Sequence, residues 1–578
     1  MIGKMISLKL LCIFLLFQES ILTELTQGIN ETTVTNSVVT ESPDVSASTP
    51  AMEVTLKEVA MSLNVSKRPT TENKEIFSDF ITIKSLEEYK INLYNLNKDV
   101  AFVIFQAHAQ NYKILMYQDG TEPNATVEGV NIALYCEHYN YVLPFSIRNE
   151  NALIDIKVFI TVHGYGIRDP IPGGCSMEEV IPIVPYMHIE ESPATVIVDA
   201  PAPMDPFDPK CLNTGSVNIT FYIMYLPGLD HTQDTYFRGI KKMSTLESIK
   251  RYGRILPRKF WNARRMVARY PGTSRVYVAV AETAYGYSVY APIVENGCNF
   301  DDCYVGELYL LYFYMITFCF GVYVCFFGNR FFYYSYFFIT CYTSSILIYV
   351  GINYITCKND DVVVSISTAL GATFALAWII SWFLFRAPSF IMLMGAFSVG
   401  CLVSSFFYYR FGVFSDYLDI LQSDLNFWSL YICLALLVVF MLLSAPDYCN
   451  TTCTSVVGSY MMIHSLAHFS GSNLKFILIN VISRATVDNF HKALLAPPFQ
   501  MTDQILTMFW IFLFVSGMVF QFYLNRGRPS IPPSPRIILL SDCGSHTERR
   551  DEEAIAQNRG CHGETTPKGP TENTPLLA

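Results

Sequence analysis

Between residues 304 and 524 the chain carries seven apolar stretches, joined mostly by short connectors, each long enough for a helix to cross a bilayer. No other feature restricts the fold as much. A helix rising about 1.5 Å per residue needs about 20 mostly apolar residues to traverse the hydrocarbon core. The candidates fall at 305–327, 332–356, 362–385, 389–409, 426–445, 453–471 and 503–524. Backbone polar groups in lipid must be satisfied within the protein, so these runs are expected to be helices packed into one bundle. With 51% hydrophobic and 16% charged residues, the composition suits a multi-pass membrane protein with the lipid bilayer as its first partner. A formal net charge of −10, without a basic stripe interleaved with aromatics, leaves no reason to expect nucleic acid.

Upstream of the bundle, Lys4 and Lys9 precede the apolar run Leu10 to Phe17, the pattern of a secretory signal peptide, taken as residues 1–23. Residues 24–75 are rich in Thr, Ser, Val and Pro and lack aromatics, so they cannot bury enough surface to fold alone. They are expected to form a disordered stalk, either O-glycosylated or simply a leader. From residue 76 to 303, short alternating runs such as VAFVIFQAH from Val100 and SVNITFYIMYL from Ser216 predict an all-β ectodomain. KVFITVHGYGIRDPIPGGC, ending at Cys175, echoes RVYVAVAETAYGYSVYAPIVENGC, ending at Cys298. This echo divides the region into tandem β-sandwiches at 76–190 and 191–303. One basic stretch between Gly239 and Tyr270 has helical spacing instead.

An exported ectodomain would meet oxidising conditions, which makes Cys136, Cys175, Cys211, Cys298 and Cys303 the disulfide candidates, with Cys357 able to supply a sixth. Sequence does not choose among the pairings. Sequons at Asn30, Asn64, Asn124 and Asn218 all precede the first helix and are the expected glycosylation sites. Seven crossings then place the carboxyl terminus, residues 525–578, in the cytosol as a disordered tail. There Glu572 precedes the pair Leu576 and Leu577 at the spacing that clathrin adaptors read, which points to endosomal or lysosomal sorting as well as the plasma membrane. The sequon at Asn450 falls between the fifth and sixth runs, on the cytosolic side by this count, where it would stay bare.

Chemistry inside the bundle is sparse. No Asp, Glu, Lys or Arg lies near the middle of any run, which disfavours proton relays, ion-coupled transport and voltage sensing. His464 and His468, four residues apart on the sixth run, would share a helical face as a zinc site requires. A catalytic zinc needs three protein ligands, and no third histidine or carboxylate occurs inside the other runs. No metal or cofactor is therefore expected, and the chain reads as a non-enzyme, with a His-dependent intramembrane hydrolase as an alternative. Ser367, Gly371 and Ala375 on the third run, and Ala396, Gly400 and Ser404 on the fourth, allow close helix packing. The connector from Leu474 has apolar residues at 474, 477, 478, 481, 482 and 485, the period of a helix lying at the membrane interface.

Several stretches together resemble the seven-transmembrane superfamily member 3 family: RDPIPGGC ending at Cys175, CFFGNRFF from Cys325, DNFHKALLAPPFQMTD after Asn480-Val481, RGRPSIPPSP from Arg526, and the terminal TPLL. The resemblance implies a signal peptide, a glycosylated ectodomain, seven helices, a cytosolic tail and a non-enzymatic role in cell survival or stress response. The expected fold is an α-helical seven-transmembrane bundle at 304–524 with an N-terminal tandem β-sandwich ectodomain; loops carried on a rigid sandwich, rather than the resemblance, are the reason to expect it to bind an extracellular or lumenal ligand. An orphan receptor acting on a cytosolic transducer is the alternative.

Overall fold

Alternating apolar residues at the amino-terminal end fold into two stacked sheets. The computed structural model describes residues 57–64, 69–70 and 73–526, apart from 119–125, 138–141, 176–182, 213–214, 229, 260, 298–307, 357–360, 386–387 and 418. The first sandwich comprises β1 (Lys57–Asn64), β2 (Glu75–Ile83), β3 (Glu87–Tyr94), β4 (Phe102–Ala109), β5 (Ile114–Gln118), β6 (Val127–Gly129), β7 (Asn131–Glu137), β8 (Val142–Arg148) and β9 (Ile156–Tyr165). One sheet runs β1-β3-β8-β5-β6 and the other β2-β9-β4-β7. Inward-facing Ile91, Leu93, Phe145 and Phe105 meet between them, the two phenyl rings stacked at 4.5 Å. Strand β1 lies in the stretch read from sequence as stalk. It pairs in parallel with β3 from Lys57↔Glu87 to Asn64↔Tyr94 and puts Leu63 into the core, so the ordered sandwich begins before residue 76.

The second sandwich comprises β10 (His188–Glu191), β11 (Thr195–Asp199), β12 (Asn218–Tyr225), α1 (Gln233–Lys242), α2 (Leu246–Tyr252), β13 (Arg254–Leu256), β14 (Arg264–Ala268), β15 (Arg275–Glu282), β16 (Tyr287–Val289) and β17 (Ile293–Glu295). Its sheets run β10-β11-β14 and β13-β12-β15-β16, with β17 also on β15. The helical reading of the basic stretch holds only to Tyr252. Gly253 and Pro257 follow, and Arg264–Ala268 is a strand antiparallel to β11, where Arg264 Nη2 meets Asp199 Oδ2 at 2.6 Å. In the internal echo, β9 and β15 are both interior strands. Only the second copy folds back as a hairpin, Val289 opposite Val280; after β9 the chain leaves the sheet and Ile171 bridges to Met204.

Strand β4 is buried on both faces because the second sandwich covers its outer side. The Tyr236 hydroxyl donates to the Ala109 carbonyl at 2.6 Å, and the Tyr165 hydroxyl accepts the Val289 N–H at 3.2 Å. At Gly286 a side chain has no room: its Cβ would sit 2.1 Å from the Asp169 carboxylate, which is itself 2.7 Å from Lys74 Nζ.

The helical part comprises α3 (Leu308–Phe327), α4 (Phe332–Thr356), α5 (Asp361–Phe385), α6 (Pro388–Tyr417), α7 (Asp424–Leu443), α8 (Pro446–Ser470), α9 (Phe476–Thr486) and α10 (Met501–Leu524). Seven of these have 20 to 30 residues. Among the described residues, four segments are long and apolar enough to cross a membrane: Phe332–Ile355, Phe390–Phe411, Asp424–Leu443 and Met501–Leu524. Helix α8 differs for a physical reason. It is buried on almost every side, so Asn450, Thr451, Thr454, Ser455 and Ser459 face neighbouring helices rather than lipid. Gln521 Nε2 of α10 donates to the Cys325 carbonyl of α3 at 2.7 Å and lies 3.1 Å from Thr454 Oγ1. The small residues act within the bundle: Gly371 abuts Ser345 of α4, and Gly400 abuts the Ala435 backbone of α7.

Candidate functional site

The connector between α8 and α10 joins the bundle to the second sandwich. Its apolar period does not lay it on a membrane surface: Leu474, Ile477, Val481 and Ile482 are buried within the protein. Tyr270 of the sandwich stands edge-on to Phe476 at 5.0 Å and shares one hydrophobic cluster with Leu474, Ile477 and Leu495. Beyond α9 the chain runs beside β14. The Ala268 N–H donates to the Leu494 carbonyl and the Leu494 N–H to the Met266 carbonyl, each at 2.8 Å. Lys259 Nζ donates to the carbonyls of His491 and Ala493 at 3.2 and 3.3 Å, and Thr273 Oγ1 to Asn473 Oδ1 at 3.0 Å. The Tyr225 hydroxyl donates to the Ala496 carbonyl. At the start of α10, the buried Asp503 carboxylate accepts the Ser472 hydroxyl at 2.6 Å and the N–H groups of Asn473 and Gln500 at 2.7 and 2.9 Å. These bonds satisfy backbone groups that a loop threaded between two domains would otherwise bury unpaired.

Beside this clamp lie two neighbouring cavities, an outer and an inner one. The outer one, a vestibule of about 1280 Å³, is walled by the β10–β11 turn (Ser192 to Thr195), the end of α4, the start of α7, and residues 484–491 of the connector. The inner one, a chamber of about 320 Å³, lies among α4, α6, α7, α8 and α9 and presents an almost wholly apolar surface from side chains such as Ile339, Ile346, Val457 and Leu478, while the hydroxyls of Thr343 and Ser398, and of Ser405 and Tyr431, bond to each other in its wall. Leu347, Val350, Trp428 and Ala485 line both. The Arg484 side chain, 4% exposed, is fully engaged: its guanidinium meets Asp424 at 3.2 Å, the Leu421 carbonyl at 3.0 Å and the Tyr408 hydroxyl at 3.3 Å, and lies over the Phe427 ring at 3.9 Å. Burial lowers the His491 pKa against the pull of Asp424, which favours the neutral imidazole.

The residues singled out from sequence lie elsewhere. Cys175 and Cys211 form a disulfide that ties the β9–β10 connection to the β11–β12 connection, beside the Ile171–Met204 bridge. Cys136 is a buried thiol that accepts from Gln118 Nε2 at 2.9 Å, and burial pushes its pKa up to about 11. Asn218 is exposed at the start of β12, while Asn64 ends β1. Asn30, Asn124, Cys298, Cys303, Cys357, Glu572, Leu576 and Leu577 lie outside the described residues. Asn450 does not lie in a loop. It is on α8, 1% exposed, with its Nδ2 2.5 Å from Asn329 Oδ1, so a glycan could not reach it in the folded protein on either side of a membrane. His468 stacks on Tyr314 at 3.9 Å and His464 is buried; among the described residues no three His, Cys, Asp or Glu side chains are grouped to hold a metal.

Three family profiles match the chain: a TM7S3/TM198-like domain over residues 314–522, a TM7SF3-like second immunoglobulin-like domain over 170–301, and a TM7SF3-like N-terminal immunoglobulin-like domain over 70–163. Human transmembrane 7 superfamily member 3 is 25% identical over 525 residues, covering 84% of this chain and 90% of the human protein. The Mus musculus protein of that name is 27% identical over 494 residues, covering 79% and 84% respectively. That of Rattus norvegicus is 26% identical over 469 residues, covering 77% and 82%.

Proposed function

Since this chain belongs to the transmembrane 7 superfamily member 3 family, we propose that it is a non-enzymatic binding protein of the membrane, taking its ligand in the vestibule between the second immunoglobulin-like domain and the helical bundle. One observation carries this reading. The vestibule wall is built jointly from Ser192–Thr195 of the ectodomain and from α4, α7 and the connector, so an occupant touches both parts at once. Cavities of this kind at domain boundaries are the usual sites of small ligands.

In this reading the seven long helices all cross the bilayer, α8 doing so as the shielded central helix, with the immunoglobulin-like domains on the extracellular or lumenal side. Asn30, Asn64, Asn124 and Asn218 then carry glycans, and a cytosolic tail presents Glu572, Leu576 and Leu577 to a clathrin adaptor, so the protein cycles between the plasma membrane and endolysosomes. A role in cell survival or stress response would follow from what the vestibule senses.

Labelling of Thr486→Cys by a membrane-impermeant charged maleimide tests the reading. Thr486 lines the vestibule and is partly exposed. Labelling above wild type on intact cells is expected. Labelling only after permeabilisation would reverse the orientation, and none in either case would mean the vestibule is closed to water.

A further inference from the structure

We infer that the vestibule and chamber together hold one single-chain amphiphile with an ammonium head, its hydrocarbon tail in the chamber and its head at Asp488. The inference rests on the reading of the vestibule as a ligand site and names the chemical class that enters it.

The tail follows from the chamber. Its volume of about 320 Å³ is at the low end of small-molecule sites, about 300–1,000 Å³, which suits one chain rather than the two of a phospholipid. Its walls offer an apolar chain dispersion contacts and almost no polar groups to satisfy. Four residues line both compartments, so the two are adjacent, and the inferred molecule passes between them at Leu347, Val350, Trp428 and Ala485.

The sign of the head follows from the charges around it. The side chains of Asp424, Arg484, Asp488 and His491 are the acidic and basic groups that line the vestibule. Arg484 spends its donors on Asp424, Tyr408 and the Leu421 carbonyl, and its charge lies against the Phe427 ring. Asp424 and Arg484 thus neutralise each other, and Lys259 and Lys492, which lie close enough to act on His491, do not line the vestibule, so the charge left on its wall is that of the exposed Asp488 carboxylate. An ammonium group meets that carboxylate, and the rings of Tyr354 and Trp428 line the same vestibule. Aromatic faces attract such cations.

The test uses the purified full-length protein in lipid nanodiscs and three photoactivatable probes with the same long alkyl chain: an amine, a carboxylic acid and an alcohol. Crosslinked peptides are mapped by mass spectrometry. The amine is expected to label α4 and α9 at the chamber about fivefold or more above the acid, and Asp488→Asn to remove most of that preference. Asp488 is exposed, so this variant keeps the fold. Ala485→Trp, at the junction of the compartments, is expected to reduce labelling by all three probes. Stronger labelling by the acid, or an amine preference unchanged in Asp488→Asn, would overturn the ammonium head and leave the vestibule as a ligand site. Absence of chamber labelling by every probe in folded protein would overturn the site itself.

Discussion

The Tyr270 hydroxyl of the second immunoglobulin-like domain donates to the Leu495 carbonyl at 2.7 Å while accepting Asn480 Nδ2 at 3.2 Å, so one phenol bonds both arms of the connector. The ring is fully buried against Phe476. Tyr270→Phe keeps the packing and strands a buried amide and a buried carbonyl. It is expected to cost about 1–3 kcal/mol, read as a lower melting temperature of the full-length protein. Tyr270→Ala should cost more, about 3–5 kcal/mol, through the added cavity. An unchanged melting temperature in both would remove Tyr270 from the coupling.

Asp503 offers a second handle on the same junction. Its carboxylate serves the Ser472 hydroxyl and two backbone N–H groups. In Asp503→Ala all three donors lose their acceptor, at about 1–3 kcal/mol each before relaxation. Loss of folded protein, or a drop in melting temperature larger than that of Tyr270→Phe, is expected; a mild effect would mean that water replaces the carboxylate.

Within the second sandwich, Arg275 and Glu295 are both fully buried and lie 3.0 Å apart. Glu295→Gln leaves a buried guanidinium without its main counter-charge and is expected to destabilise by about 3–5 kcal/mol. Replacing both partners, Arg275→Met with Glu295→Leu, should recover much of that loss. Chemical denaturation of both variants checks the pair, and a near-neutral single variant would contradict it.

Acid sensitivity is expected where the two sandwiches meet. His108 is buried with its Nδ1 2.9 Å from Asn131 Oδ1, and burial lowers its pKa from 6.5 to about 4. The unfolded chain binds this proton more readily than the folded one. The stabilisation is therefore complete above pH 6.5 and is lost as pH falls towards 4, by roughly 3 kcal/mol in total. The melting temperature should fall across that window, and His108→Gln should flatten the fall. An equally steep fall in the variant would assign the effect to other groups, of which His231, also lowered by burial, is one.

The helical part was largely legible because hydropathy alone marks a run such as Phe332–Thr356. Boundaries were less so. Helix α8 starts at Pro446 rather than near 453, because Asn450 and Thr451 read as loop residues until Asn329 is seen beside them. The β ectodomain showed in its alternation, but β1 did not, since KEVAMSLN lacks the aromatic and β-branched density of its neighbours. The vestibule was not legible at all: residues 192–195 and 484–491 are far apart in the chain, and the connector's apolar period fits a protein groove as well as a lipid surface.

Joining of the second immunoglobulin-like domain to the bundle in one body is tested most directly by a cysteine pair at the junction. Thr273 and Asn473 touch at 3.0 Å. In native membranes, the double variant Thr273→Cys with Asn473→Cys is expected to form a disulfide under mild oxidation, found by mass spectrometry of the linked peptides. Absence of that link in protein whose Cys175–Cys211 bond is intact would contradict the coupling and, with it, a vestibule walled by both parts.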